Sequence, residues 1–247
     1  MKIILSPAKR MHEDTDFWPV QTPLLLDKAL SLWEYMKSLS LPELQRLLCC
    51  NDALAREAFD RYHRFDPRKA MTPALLAYDG IQYRYMAPQV FEESYFEYAQ
   101  EHVRILSGLY GILRPFDGVV PYRLEMQARL RTRFCRDLYD YWGGGLADAV
   151  LSGDRLLINL ASREYSRAVL PHLPAGCDCI TCRFAERQAG RLIEKGVYVK
   201  MARGEMIRYM AQHHIENAQD IKAFDRLGYA FEEAASDDHT FVFVQKQ

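Results

Sequence analysis

Apolar positions in this chain follow two rhythms, and the places where one gives way to the other mark out its elements. Residues 2–5 (KIIL) read as a short buried strand, ended by Ser6-Pro7 because proline offers no ladder donor and restrains the residue before it. A polar stretch, MHEDTDFWP, follows. From Thr22-Pro23 to Leu39 the residues Leu25, Leu26, Ala29, Leu30, Trp33 and Met36 recur at helical spacing behind a cap and a first-turn proline. Ser40-Leu41-Pro42-Glu43 then has the spacing of a capping box. It opens a short helix that runs through the turn CCND into ALAREAFDRYHRF, so the pattern over 42–64 is helix, tight turn, helix. Asp66-Pro67 and Thr72-Pro73 punctuate the next connection, and residues 91–103 return to helical spacing.

Further along, 104–106 is β-compatible, and DRLLINL (154–160) predicts a buried strand with Ser162 as N-cap of a following helix, SREYSRAVL. The segment 177–196 predicts two strands joined at Ala189-Gly190, 197–214 a helix, and FVFV (241–244) a closing strand. Three glycines, Gly143 to Gly145, interrupt the helical pattern of DLYDYWGGGLADAVL, since each would cost a helix about 1 kcal/mol. Strands and helices mix along the whole length with no linker, repeat or low-complexity tract. The expectation is therefore α+β: a single compact domain, 1–247, with a mixed, strongly curved sheet surrounded by helices.

Composition narrows the picture. At 247 residues and 49% hydrophobic, the chain can bury a sizeable core. Its 32 Lys+Arg nearly balance 33 Asp+Glu, so any nucleic-acid partner must be met by a local patch. No apolar run approaches the roughly 18 residues of a membrane span, and the first apolar run is too short for a signal peptide, so a cytoplasmic protein with no membrane partner is expected. Six cysteines are then expected to be reduced thiols.

Polar clusters follow three of the strands: Ser6 to Lys9, Ser107-Gly108-Leu109-Tyr110-Gly111, and Asn159-Leu160-Ala161-Ser162. Where parallel strands end, backbone N–H groups and helix N-termini are free to hold a ligand, so three such ends could share one cleft. Each is also readable as an ordinary strand-ending turn. No Walker A loop and no GxGxxG occurs, and no cofactor is implied. Arg114, Arg123 and Glu125 crowd into ILSGLYGILRPFDGVVPYRLEM (105–126), either as an internal ion pair fixing the loop or as forked phosphate ligands facing a cleft. Lys200 and Arg203 share a helix face that is either solvated or part of a basic cleft with Lys9. On 42–64, Arg56 and Arg61 could meet a DNA backbone, or the segment could be an ordinary helical corner. Cys177, Cys179 and Cys182, with His172 nearby, tempt a metal reading, but strand alternation turns Cys182 away from the other two, and no metal site is assigned.

KIILSPAK, the 105–126 segment with its LSGLYG, LRP and PYRLEM, NLASREY, VKMARGEMIRYM and GYAFEEAASDDHTFVFV together resemble the bacterial YaaA family of peroxide-stress proteins, from the first strand to the last. The resemblance implies a protein that limits unincorporated intracellular iron and oxidative DNA damage. It further implies a helix-hairpin-helix-like segment, falling on 42–64, and duplex DNA held without sequence specificity in a basic cleft. The turn CCND departs from the usual hairpin in lacking glycine. Besides direct iron sequestration, for which the motifs offer no obvious ligand set, two functions stay open. One is a protein binding duplex or distorted DNA through phosphate contacts from Lys9, Arg56, Arg61, Arg114, Arg123, Lys200 and Arg203. The other is an enzyme acting in the same cleft on a nucleobase, nucleotide or damaged DNA, with Glu125, Asn159, Ser162 and Glu164 as candidate catalytic residues and Tyr110 or Tyr165 stacking on a base.

Overall fold

A computed structural model describes residues 1–13 and 20–246 of the chain. Most of the HEDTD run lies outside the described residues. The main sheet has eight strands: β1 (Lys2–Leu5), β2 (Val103–Ser107), β3 (Gly111–Leu113), β4 (Leu156–Asn159), β5 (Asp178–Gln188), β6 (Arg191–Ile193), β7 (Tyr229–Phe231) and β8 (Thr240–Gln245). Their order is β7-β8-β5-β4-β1-β2-β3, with β6 also paired to β5. Neighbours from β8 through to β2 run parallel, and β3, β6 and β7 are antiparallel additions. In β1, all four residues are buried, as a central parallel strand covered on both faces requires. The β5–β6 hairpin turns through Ala189 and Gly190, both at positive φ, at the position the sequence pattern marks.

Among the described residues ten helices surround the sheet: α1 (Leu26–Ser38), α2 (Leu41–Leu48), α3 (Asp52–Arg64), α4 (Ala74–Ala77), α5 (Ile81–Met86), α6 (Glu93–His102), α7 (Leu138–Trp142), α8 (Gly145–Leu151), α9 (Arg163–Ser166) and α10 (Gly196–Gln212). The capping box of α2 forms, with Ser40 N–H donating to Glu43 Oε2 at 2.9 Å. Asn51 caps α3 by accepting from Leu54 N–H, and Cys49 takes the left-handed turn conformation that a glycine usually fills. Gly143, at φ 57°, separates α7 from α8.

Some elements differ from their sequence pattern, and short ones such as α4, β3 and β7 have none. Helix α1 begins at Leu26 rather than at Thr22-Pro23, because the Thr22 carbonyl accepts from Arg114 Nη2 and the chain turns before the helix starts. The pattern SREYSRAVL yields only the four residues of α9 before the chain breaks into turns. Helix α5 was not marked at all: at six residues it is too short for periodicity to register. A single large apolar cluster runs through strands and helices alike. No helix among the described residues is long and apolar enough to cross a membrane.

Candidate functional site

The carboxyl ends of β1 and β4 lie side by side. Ser6 Oγ accepts from Ser162 N–H at 2.8 Å and donates to Ser162 Oγ at 3.1 Å, so the two strand-end loops are stitched directly together. Tyr83 of α5 donates to the Ser6 carbonyl at 3.1 Å. At the end of β2, Ser107 is fully buried beneath them, and its hydroxyl meets Tyr122 Oη at 2.7 Å, which meets Tyr78 Oη at 2.8 Å. Burial pushes the Tyr122 phenol up to about 12, so this chain of hydroxyls stays protonated at neutral pH.

A cleft of about 360 Å³ opens above this floor. Its walls come from Ser6–Arg10, from the start of α5, from Tyr122–Glu125, from α9 and from α10. Two glycines allow the walls to close. A Cβ on Gly204 of α10 would sit 2.1 Å from the Gln82 carbonyl oxygen, so α10 and α5 meet backbone to backbone. A Cβ on Gly108 would sit 2.2 Å from the Leu124 carbonyl oxygen, which presses the 122–125 wall onto the sheet. Tyr62 of α3 donates to the Arg123 carbonyl at 2.9 Å and holds that wall from outside.

The charged side chains form a graded set. Arg123 Nη2 donates to Glu125 Oε1 at 2.7 Å, and Lys9 Nζ lies 3.5 Å from the same oxygen. Arg123 thus forms the internal ion pair that the sequence allowed, and it also lines the cleft. Glu164 accepts from Gln127 N–H at 3.3 Å. Burial, with the Glu125 carboxylate nearby, holds its carboxyl above the ordinary range. Burial also lowers the Arg203 guanidinium from its usual value. Five buried side-chain polar atoms lack a hydrogen-bond partner among the described residues, and four of them belong to residues lining this cleft: Gln82 Nε2, Arg123 Nε, Glu125 Oε2 and Arg203 Nε. Buried polar atoms are rarely left unpaired, and here three donors and one acceptor without a partner among the described residues belong to residues around one cavity.

Seven of the residues singled out from sequence line the cleft: Lys9, Arg123, Glu125, Ser162, Glu164, Lys200 and Arg203. Tyr165 also lines it. Four others do not. Arg114 closes the turn after β3, donating to buried Asp117 from Nε at 2.9 Å and to the Thr22 carbonyl. Asn159 is spent on Thr181 Oγ1 and Ala161 N–H behind the cleft. Arg56 and Arg61 are paired along α3 with Asp52 and Glu57. Tyr110 is fully buried, its hydroxyl accepting from Val120 N–H, which removes it as a stacking surface. Gln82 and Tyr83 were missed; the one sign beside them in the sequence is Gly80, N-cap of α5, where an added Cβ would lie 2.9 Å from Ala8 Cβ.

Cys179 and Cys182 are held up to about 11 and about 12 by burial, which makes them poor nucleophiles. Among the described residues no three His, Cys, Asp or Glu side chains gather as metal ligands.

The family model described as Peroxide stress protein YaaA matches residues 1–235. The chain is also similar to a UPF0246 protein of Desulfitobacterium hafniense, at 55% identity over 99% of this chain and 98% of the relative. A UPF0246 protein of Agathobacter rectalis is 49% identical over 100% of this chain and 99% of its own length. One of Lactiplantibacillus plantarum is 44% identical over 99% of each.

Proposed function

The chain belongs to the YaaA family of peroxide stress proteins, and from that premise we propose that its cleft receives a nucleobase or nucleotide, either free or presented by distorted or damaged DNA. Lys9 and Lys200 take the phosphate at the rim, while Arg123, Glu125, Gln82 and Arg203 address the polar edge of the base. The observation that supports this reading is the set of four unpartnered buried polar atoms around one cavity. It includes donors and an acceptor, which is what a heterocycle with mixed edges needs. A groove that only followed phosphates would gain nothing from Glu125 and Glu164, since carboxylates repel phosphate. Glu164, protonated over a wider pH range than an exposed carboxyl, suits a general acid, and Glu125 a base, so the enzymatic reading is favoured over passive DNA binding. The effect on unincorporated iron that the family resemblance implies would follow indirectly, through whatever ligand the cleft handles.

Thermal-shift titration with the common nucleoside monophosphates tests this. The parent protein is expected to be stabilised by at least one of them, and Glu125→Gln or Arg123→Ala to weaken that binding roughly tenfold or more, since each would strand a buried partner. If no nucleotide binds and duplex affinity falls steeply with salt in parent and Glu125→Gln alike, phosphate-only DNA binding replaces this reading.

A further inference from the structure

Beyond the cleft wall the chain continues as QARLRTRFCR (127–136), which places Arg129, Arg131, Arg133 and Arg136 within eight residues. All four are exposed. Arg136 is paired with Asp140 at 3.2 Å, whereas Arg129, Arg131 and Arg133 have no salt-bridge partner among the described residues. This contrasts with Arg56 and Arg61 of the helix–turn–helix segment, whose charge is already neutralised by neighbours on α3. In the middle of the loop Phe134 is 53% exposed, an unusual setting for a phenylalanine. Its ring stands between Tyr35 and Tyr141 at 6.2 and 5.9 Å, and Lys28 lies over the Tyr141 ring at 4.9 Å. Thr132 Oγ1 accepts from Phe134 and Cys135 N–H, which holds the backbone of the turn that carries the ring.

The loop is joined to the cleft. Ala128 N–H donates to the Glu125 carbonyl at 3.0 Å, and Arg129 N–H to the Leu47 carbonyl at 2.9 Å. Cys50, in the α2–α3 turn, lies beside Arg129 and Arg131 and is close enough to Arg123 and Glu125 to feel both charges. The acidic groups on this side are otherwise engaged: Glu43 in its capping box, Asp140 with Arg136, and Asp137 as N-cap of α7.

Resting on the cleft reading above and extending it, we propose that the 129–136 loop is a track for single-stranded nucleic acid, which feeds a nucleotide into the cleft. Unpaired arginines face the phosphates and Phe134 stacks on a base. Charge complementarity selects a polyanion, and the exposed ring selects a single strand, because bases inside a duplex have no free face to offer. Single-stranded DNA and RNA share this chemistry.

Fluorescence anisotropy of the full chain with labelled thymidylate and uridylate oligomers and a short duplex tests the track and separates the two sources. Arg131→Glu with Arg133→Glu is expected to weaken oligomer binding at least about tenfold and to reduce the logarithmic salt slope by about 1.4, for two lost contacts. Phe134→Ala is expected to weaken oligomers by about 5- to 150-fold while sparing the duplex, and Phe134→Trp to retain them. Phe134 is exposed, so neither change should impair folding, and circular dichroism checks this. Oligomers bound by the charge-reversed variant as tightly as by the parent would overturn the track, as would equal losses of duplex and oligomer in Phe134→Ala. Loop variants leave the mononucleotide thermal shift unchanged; failure of the cleft reading appears separately, as loss of that shift's dependence on Glu125 with the loop intact.

Discussion

Glu125 meets two cations through one carboxylate oxygen and, among the described residues, no hydrogen-bond donor through the other. Glu164 differs: it is half-buried, and its main protein contact is a long bond from Gln127 N–H. Its raised pKa has a consequence for stability whose sign is fixed by linkage. Below the ordinary carboxylate range Glu164 is neutral whether the chain is folded or unfolded, and it costs nothing. As pH rises through the raised folded-state value, the folded protein must hold a charge that burial disfavours, and stability is lost. Glu164→Gln, which mimics the neutral form, is therefore expected to raise Tm at pH 7 and to leave it unchanged near pH 3. Melting curves of both proteins across that range decide it.

At the scale of elements, the cleft depends on how closely α10 can approach α5. Gly204 faces the Gln82 carbonyl, so Gly204→Ala must push the helices apart and is expected to destabilise the protein by about 2 kcal/mol, measured by urea denaturation. Because Lys200 and Arg203 ride on α10 and Gln82 on α5, nucleotide affinity should fall with it. The elements that carry clear periodicity were legible in the sequence: α1, the α2–α3 pair with its capping box, α10, and the buried runs of β1, β4 and β8. So were the strand ends, since Ser6 and Ser162 do converge. Short elements were not. Helix α5 is set by its packing on α10 rather than by its own pattern, and it carries Gln82 and Tyr83 into the cleft unannounced. Arg114 misled because sequence shows a charge but not its partner; buried Asp117, three residues on, claims it. The loop arginines were equally visible as letters, yet only the structure shows which of them have no salt-bridge partner among the described residues.

For the whole molecule, a formal net charge of −1 conceals a polar distribution. The cleft lies at the carboxyl ends of the parallel strands, lined by six basic and three acidic side chains. Toward the amino ends of β4 and β5 a second, open depression gathers Asp178, Glu216, Glu233, Asp237 and Asp238 around Lys222. Such a field should orient an approaching polyanion toward the cleft and repel it from the other end, so association rates should fall with ionic strength more than dissociation rates rise. One apolar cluster spans both regions. Unfolding in urea is therefore expected to be a single transition, coincident by tryptophan fluorescence and far-ultraviolet circular dichroism; separated midpoints would show two cooperative units. The place of β1 bears on how the molecule is made. It pairs with β2 on one side and β4 on the other, segments roughly 100 and 150 residues downstream. On a ribosome adding about 5–20 residues per second, the first strand waits several seconds or more for its nearest partner. Until then Ile3, Ile4 and Leu5 are a sticky end, and a nascent chain stalled before residue 103 should be a client for chaperones.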